Sequence, residues 1–132
     1  MSPSPRTTVS HAAEAVFETG LRSFFAYRDL GVRQASGGAF GAHVIRAVPG
    51  QGAAPEWHSH ALGFQLVYVL RGWVTFTYED IGTVTFHPGD SVLQPPGIRH
   101  VEVAHSEDLE LLEITSPADF ATQRETPPDS FP

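Results

Sequence analysis

Two histidines in one short segment, His58 and His60, have the chemistry and the spacing to hold a metal ion. In an extended segment, residues at i and i+2 leave the same face of the chain, so both imidazoles can reach one ion. His100 supplies a third imidazole from a predicted strand that follows the rigid turn Pro95-Pro96-Gly97. Three converging imidazoles bind a first-row divalent metal and leave positions open for water, dioxygen or a chelating substrate. A His-x-His pair also occurs by chance in surface and core positions, so the pair alone does not establish a metal site.

Glu102 is a candidate catalytic residue near these histidines, and a set of other residues are candidates for the substrate pocket. Glu102 has the same parity as His100 on the predicted strand, so its side chain shares the face of that histidine. It is the candidate catalytic residue, as a general base, a replacement ligand or an orienting group. A rim residue paired with an arginine is the alternative reading. The candidate substrate-pocket residues are Trp57, Phe64, Val67, Val69, Ile98, Arg46 and His43.

These pocket candidates each have a structural alternative. Aromatic and branched side chains near three imidazoles exclude water and hold an apolar substrate body. Val67 and Val69 fit ordinary barrel core as well or better. Arg46 can anchor a carboxylate through both guanidinium nitrogens, but an exposed position explains it equally well.

The elements that must position these side chains are predicted to be short strands. From Phe24 onward, runs rich in Val, Ile, Phe, Tyr and Thr are broken by Gly and Pro every eight to twelve residues or so, which is typical of an all-β sandwich or barrel. A tight hairpin is predicted at Glu79-Asp80-Ile81-Gly82. The predicted strands cover residues 23–28, 40–48, 64–71, 73–79, 83–87, 91–94, 98–104 and 109–115.

Both flanks of the chain are rich in Pro, Ser and Thr and offer little apolar surface to bury. We therefore expect an N-terminal arm over residues 1–19, one β-barrel domain over 20–116 and an extended C-terminal tail over 117–132. Within the N-terminal arm, a short helix is predicted over 11–17 with Ser10 as its cap.

The predicted strand 64–71 is apolar on both faces apart from Gln65. In a small barrel one face of such a strand packs on the core, and the other face needs a cover. A neighbouring subunit or one of the arms can supply it, so the sequence predicts a homodimer.

The composition excludes several kinds of function. A length of 132 residues fits one domain. The chain has no cysteine and no lysine, which excludes disulfides, thiolate chemistry, Schiff bases and a P-loop lysine. A net charge of −7 without a basic cluster argues against nucleic acid and anionic membranes. The longest apolar run is far below the ~20 residues of a membrane span, and no signal peptide is evident. We expect a cytoplasmic protein whose partner is a small-molecule ligand.

Two glycine-bounded motifs contain the three histidines. They span residues 52–104. The first consists of Gly52, His58-Ser59-His60, Gln65 and Gly72, and the second of Gly89, Pro95-Pro96-Gly97, His100 and Ala104. Together the two motifs resemble those of the cupin family, and two positions depart from the family pattern. Gln65 stands where the family usually supplies a carboxylate ligand, and Ala104 replaces an asparagine.

The resemblance implies a cupin double-stranded β-helix, which is a jelly-roll barrel. It also implies a divalent transition-metal ion on His58, His60 and His100, with iron(II) favoured and zinc, nickel or manganese as alternatives. Gln65 is then a candidate fourth ligand through its amide oxygen. Without the acidic ligand the metal keeps its full double charge and favours an anionic or chelating molecule.

The resemblance implies an enzyme of the iron(II) dioxygenase type that acts on a chelating, oxygen-bearing substrate, because three-histidine iron sites occur in such members of the superfamily. Two alternatives remain open from the sequence. One is a metal-dependent lyase or isomerase, and the other is a non-catalytic cupin that binds or senses a small ligand.

Overall fold

Two antiparallel sheets contain most of the regular structure. The structure, a computed structural model, describes residues 5–19, 24–53 and 55–129. In spatial order, the six-stranded sheet consists of β1 (Glu18–Thr19), β2 (Phe25–Asp29), β3 (Gly41–Ala47), β10 (Glu110–Ser116), β5 (Phe64–Arg71) and β8 (Ser91–Leu93). The five-stranded sheet consists of β11 (Ala121–Arg124), β4 (His58–Ala61), β9 (His100–His105), β6 (Val74–Tyr78) and β7 (Gly82–Phe86). The prediction of an all-β jelly roll is confirmed.

Helical structure in the described part of the chain consists of a 3-10 turn at Ala12–Glu14 and one short helix, α1 (Val32–Ala35). The helix predicted over 11–17 is therefore wrong apart from this single turn. Its expected cap, Ser10, does not cap the turn, and the Ser10 hydroxyl accepts a hydrogen bond from Nη2 of Arg28 at 2.8 Å. None of the described helices is long and apolar enough to cross a membrane.

The two sheets enclose an apolar core. Strand β10 pairs with both β3 and β5, so it lies in the middle of the six-stranded sheet. Because side chains alternate across a strand, every second residue of these strands points inward. The buried core residues are Ile45, Ala47, Val67, Val69, Val74, Tyr78, Phe86, Leu109 and Leu111.

The pairing in the five-stranded sheet brings the three histidines together. His58 on β4 lies directly opposite His100 on β9. The other neighbour of β4 is β11, which places Thr122 opposite His60. Strand β11 lies within the segment expected to be a tail, and β1 lies within the expected N-terminal arm, so both flanks add strands to the sheets.

The turn between β5 and β6 requires glycine at position 72. Gly72 has φ +71°, and a Cβ added there would overlap Oγ of Ser106 and lie 2.9 Å from Cα of Leu109. This glycine closes the first of the two sequence motifs, and its role is steric.

Candidate metal centre

The three histidines form one cluster. Their potential ligand atoms all lie within 4.8 Å of one another. The ring centroids of His58 and His100 are 4.2 Å apart, and that of His60 is 4.9 Å from His58 and 5.1 Å from His100. His58 and His100 are buried, and His60 is half-buried. The cluster predicted from spacing is therefore present in the fold.

Each of the three histidines makes a hydrogen bond through Nδ1, and these bonds bear on which ring nitrogen can bind a metal ion. Nδ1 of His58 donates to the carbonyl oxygen of Glu56 at 2.8 Å, and Nδ1 of His100 donates to that of Ile98 at 3.0 Å. A carbonyl only accepts, so both bonds require the proton on Nδ1, and in the neutral ring this leaves the lone pair on Nε2. Nδ1 of His60 lies 2.9 Å from the hydroxyl of Thr122. Neutral imidazoles held in this way fit a divalent transition-metal ion.

The cluster lines a cavity of about 350 Å³ between the two sheets. Much of the remaining wall is apolar or aromatic: Phe25, Tyr27, Ile45, Val67, Phe76, Leu111, Ala118 and Phe120. The polar remainder comprises His43, Gln65, Gln94, Glu102, Glu113, Thr115 and Thr122. No arginine is among the lining residues in the described part of the chain, and the chain has no lysine. The described residues therefore bring carboxyl groups but no cationic side chain other than histidine to this cavity.

Glu102 lies in the cavity wall with His100, on the same strand, β9. It is 5% exposed, and its Oε1 accepts a hydrogen bond from Nδ1 of His105 at 2.5 Å. Its Oε2 is buried and has no hydrogen-bond partner within the described residues. A buried carboxyl group with one oxygen held and the other without a partner is suited to a polar ligand in the cavity.

Gln65 and Glu113 form a second polar pair in the wall, on the six-stranded sheet. Nε2 of Gln65, which is 2% exposed, donates to Oε2 of Glu113 at 3.0 Å. Burial raises the pKa of Glu113, and the hydrogen bond from Gln65 and the nearby His43 oppose that rise only in part. Sequence reasoning missed Glu113, although it shares the parity of the inward-facing Leu111 on β10.

Of the predicted pocket residues, the structure places two in the cavity wall, Val67 and His43. Phe64 does not line it, because it has the opposite parity to Gln65 on β5 and is 40% exposed. Val69 has the inward parity but lies two residues further along β5, where it is enclosed in the core. The prediction that these two residues line the pocket is corrected accordingly.

Three more pocket predictions are corrected. Arg46 points outward from β3, where its guanidinium lies 3.8 Å from the ring centre of Phe17. Ile98 packs against the core cluster. Trp57 precedes β4 and lies outside the lining, and its carbonyl oxygen accepts a hydrogen bond from the backbone N–H of Glu125.

The C-terminal segment supplies three lining residues that the sequence did not reveal: Ala118, Phe120 and Thr122. The ring of Phe120 packs edge-on against His60 at 5.3 Å between centroids. Strand β11 is exposed at all four residues, so it has no apolar alternation from which a strand could be predicted.

A family model for the cupin domain matches residues 44–115, which is more than half of the chain. The chain belongs to the cupin family. The cupin resemblance carried by the two motifs is thereby confirmed. No curated protein matches this cupin in sequence.

Solved structures show the same fold at low sequence identity. The polyketide cyclase RemF from Streptomyces resistomycificus matches with a TM-score of 0.71 and 16% identity, over 94% of this chain and 89% of that one. KdgF from Halomonas sp. matches with a TM-score of 0.66 and 19% identity, over 85% of this chain and 94% of the KdgF chain. A mutant of salicylate 1,2-dioxygenase from Pseudoaminobacter salicylatoxidans, in complex with gentisate, matches with a TM-score of 0.62 and 12% identity. The match covers 80% of this chain but only 30% of the longer dioxygenase chain. At these identities the similarity is one of fold.

Proposed function

We propose that this cupin is a metal-dependent enzyme whose divalent transition-metal ion is bound by His58, His60 and His100. The observation that supports this most strongly is the convergence of the three imidazoles on a cavity about 350 Å³ in volume. A volume near the lower end of the range for ligand pockets, about 300–1,000 Å³, suits a small organic molecule.

Gln65 is the proposed fourth ligand. Its Nε2 donates to Glu113, so the carbonyl oxygen Oε1 lies at the other end of the amide and is available for an ion. All four donors are then neutral, and the ion keeps its full double charge. Such a centre favours a substrate that binds through two oxygens.

The charges in the cavity narrow the substrate class. The chain has no lysine, and none of the described lining residues is an arginine, so among them no cationic side chain other than histidine is available to pair with a carboxylate or phosphate of the substrate. The carboxylate of Glu102 disfavours additional negative charge, and the aromatic residues favour a flat apolar body. We therefore expect a neutral ring compound that carries a hydroxyl group beside a carbonyl, or a 1,3-diketone.

Glu102 is the proposed general base. Its Oε1 is held by His105, and its Oε2 is left for a proton on the bound molecule. When bound, the metal supplies a Lewis acid that polarises the substrate carbonyl, and this makes the neighbouring C–H or O–H group more acidic. Proton removal by Glu102 then leads to isomerisation, elimination or ring closure. The fold similarity to a polyketide cyclase over nearly the whole chain supports this class of reaction.

Oxidative cleavage by iron(II) is the second candidate. The neutral set of three histidines favours it, together with the fold similarity to salicylate 1,2-dioxygenase. In that case Glu102 deprotonates a substrate hydroxyl so that the molecule binds as an anion. The protein's contribution is the same in both candidates, namely orientation, exclusion of water and a base.

The first experiment is to measure metal content by plasma mass spectrometry. The control is the His58→Ala, His60→Ala double variant prepared in parallel. Near-stoichiometric metal in the wild type and none in the control supports the site.

The loaded protein is then incubated with 1,3-diketones and hydroxy-ketones, and oxygen uptake and exchange of substrate protons for deuterium are followed. Deuterium exchange without oxygen uptake supports the first candidate, and oxygen uptake with iron supports the second. Tight ligand binding that survives in the metal-free double variant, without turnover, leaves a binding or sensor protein and contradicts both.

We further propose that a second copy of the chain covers the outer face of the six-stranded sheet. Adjacent outward-facing residues on β3, β10, β5 and β8 form two rows without charge: Val44, Leu112, Tyr68 and Ser91, and Ile114, Leu66 and Leu93. The buried Ala42 ends the second row on β3. Tyr68 is 41% exposed and Leu93 is 56% exposed. For a chain of net charge −7, an uncharged apolar patch is the surface on which two copies can meet with least repulsion.

A further inference from the structure

Thr122 links the C-terminal strand to the histidine cluster. Strand β11 is an edge strand that pairs with β4, and this places Thr122 opposite His60. The Thr122 hydroxyl lies 2.9 Å from Nδ1 of His60. Thr122 belongs to the cavity wall, so the C-terminal segment is part of the site itself.

The segment that carries Thr122 is held at both ends. On its N-terminal side, Nε and Nη2 of Arg33 both donate to the carboxylate of Asp119, at distances of 2.6 to 3.1 Å. On its C-terminal side, Glu125 accepts a hydrogen bond from the Ser59 hydroxyl at 2.7 Å. The position of the Thr122 hydroxyl relative to His60 is therefore constrained from two directions.

The partner of His60 differs in kind from those of the other two histidines. His58 and His100 each face a backbone carbonyl, which can only accept and so fixes the proton on Nδ1. A hydroxyl can either donate or accept, so Thr122 is compatible with both neutral tautomers of His60. Only the tautomer in which Nδ1 donates to Thr122 presents an Nε2 lone pair to a metal ion.

We propose that Thr122 is a positioning residue for the metal centre, which holds the His60 ring in place and accepts its Nδ1–H when the ion binds. This inference rests on the proposed metal site. Its consequence is that metal affinity depends on the C-terminal strand, although no residue of that strand is a ligand.

The test compares three variants by the affinity of the metal-free protein for Zn²⁺, measured in competition with a chelator. Thr122→Val keeps the shape and the strand propensity but removes the hydroxyl, and Thr122→Ser restores it. Thr85→Val is the matched control, because Thr85 is an exposed threonine on β7, the opposite edge of the same sheet, and its hydroxyl also makes a side-chain hydrogen bond. Thr122→Ala replaces the valine variant if that variant does not fold by circular dichroism.

Loss of an outer hydrogen-bond partner of a metal-ligating histidine costs about 10- to 100-fold in metal affinity. Because Thr122 is exposed and water can replace part of its bond, we expect the lower end, about 10-fold weaker binding for Thr122→Val. Thr122→Ser and Thr85→Val should stay within about threefold of the wild type. The absorption bands of the Co²⁺-loaded protein should shift in Thr122→Val alone.

Three results overturn the inference while the metal site stands. They are Zn²⁺ affinity of Thr122→Val within about twofold of wild type, an equal loss in Thr85→Val, or a serine variant as weak as the valine variant. If wild-type protein binds neither Zn²⁺ nor Co²⁺, the proposed function fails together with this inference. The wild-type measurement thus distinguishes the two failures.

Discussion

His105 and Glu102 form a buried hydrogen bond behind the cavity wall, with Nδ1 of His105 2.5 Å from Oε1 of Glu102. Both side chains are at most 5% exposed. The His105 ring is in turn packed against Phe24 and Phe25, at 6.0 and 5.1 Å between ring centroids. The aromatic contacts fix His105, and the hydrogen bond from His105 fixes the carboxyl group of Glu102. The arrangement resembles those in which a second group orients a general base.

Glu102→Gln should separate catalysis from metal binding. The substitution keeps the size of the side chain but removes its ability to take a proton. We expect metal content to stay near that of the wild type and turnover to fall by about 100-fold or more, the usual contribution of a positioned base. Plasma mass spectrometry and the deuterium-exchange assay measure the two quantities on the same sample. Full exchange activity in this variant contradicts the assignment of Glu102 as the base.

Loss of the hydrogen bond from His105 to Glu102 should destabilise the fold even when an aromatic ring is kept at position 105. His105→Phe retains an aromatic ring next to Phe24 and Phe25 but leaves Oε1 of Glu102 buried without a partner. We expect a loss of about 2 kcal/mol in the free energy of unfolding, typical of a buried polar group left unsatisfied. Urea denaturation measures it. His105→Phe in a Glu102→Leu background is the control, because the penalty should largely disappear when no carboxyl group is left unpaired.

The contact between Glu79 and Arg99 should make stability depend on pH. Glu79 accepts hydrogen bonds from the backbone N–H and from Nε of Arg99, at 2.8 and 3.0 Å, and the backbone bond is the main cause that lowers its pKa below the ordinary value of 4.5. A lowered pKa means that the contribution to stability is present above about pH 4.5 and is lost as the pH falls through the value in the folded protein. Glu79→Gln should therefore be less stable than wild type at pH 7, by at most about 1 kcal/mol because the pair is partly exposed. Thermal melts at pH 7 and pH 3 test this, and a difference that persists unchanged at pH 3 contradicts it.

The sequence was sufficient to predict the cluster of three histidines because the constraints that bring them together are mostly local. His58 and His60 are two residues apart, and parity alone puts them on one face. The turn at Pro95-Pro96-Gly97 and the glycine-bounded motifs then indicated His100 as their partner. Parity also indicated that Glu102 shares the face of His100, and the structure places both in the cavity wall.

The other residues of the cavity wall could not be predicted in the same way. Parity shows which face of a strand a residue occupies, but it does not show whether the residue lies at the level of the cavity. Val67 and Val69 both point inward from β5, yet only Val67 reaches the cavity. Glu113 could have been found from its alternation with Leu111. Thr122 could not, because it reaches His60 through an edge strand whose residues are all exposed and carry no apolar pattern.

Gly72→Ala should destabilise the protein strongly. The residue has a positive φ, and the new methyl group would lie within 3 Å of Ser106, Asp108 and Leu109, including the backbone of Leu109. A non-glycine residue in the left-handed region costs about 1–3 kcal/mol, and the steric clash adds to this. We expect a drop of at least about 2 kcal/mol in the free energy of unfolding by urea denaturation. Gly50→Ala is the control, because Gly50 also has a positive φ but an added Cβ meets nothing within 4 Å. Equal losses at the two positions show that the backbone conformation alone, and not the close contact, is responsible.

Leu93→Glu should prevent dimer formation if the uncharged rows on the six-stranded sheet are the interface. Leu93 lies opposite Leu66 on the edge strand β8 and is 56% exposed, so the substitution should cost the isolated chain little stability. In a two-fold symmetric interface each change occurs twice, so two carboxylates are introduced and must be desolvated or brought close together. We expect the wild type to sediment as a dimer and Leu93→Glu to dissociate at least about 100-fold more readily, in analytical ultracentrifugation across a concentration series. Ile81→Glu is the matched control, since Ile81 is similarly exposed in the hairpin between β6 and β7 of the other sheet. A wild type that sediments as a monomer at all concentrations, or a Leu93→Glu variant that dimerises as tightly as Ile81→Glu, contradicts the proposed interface.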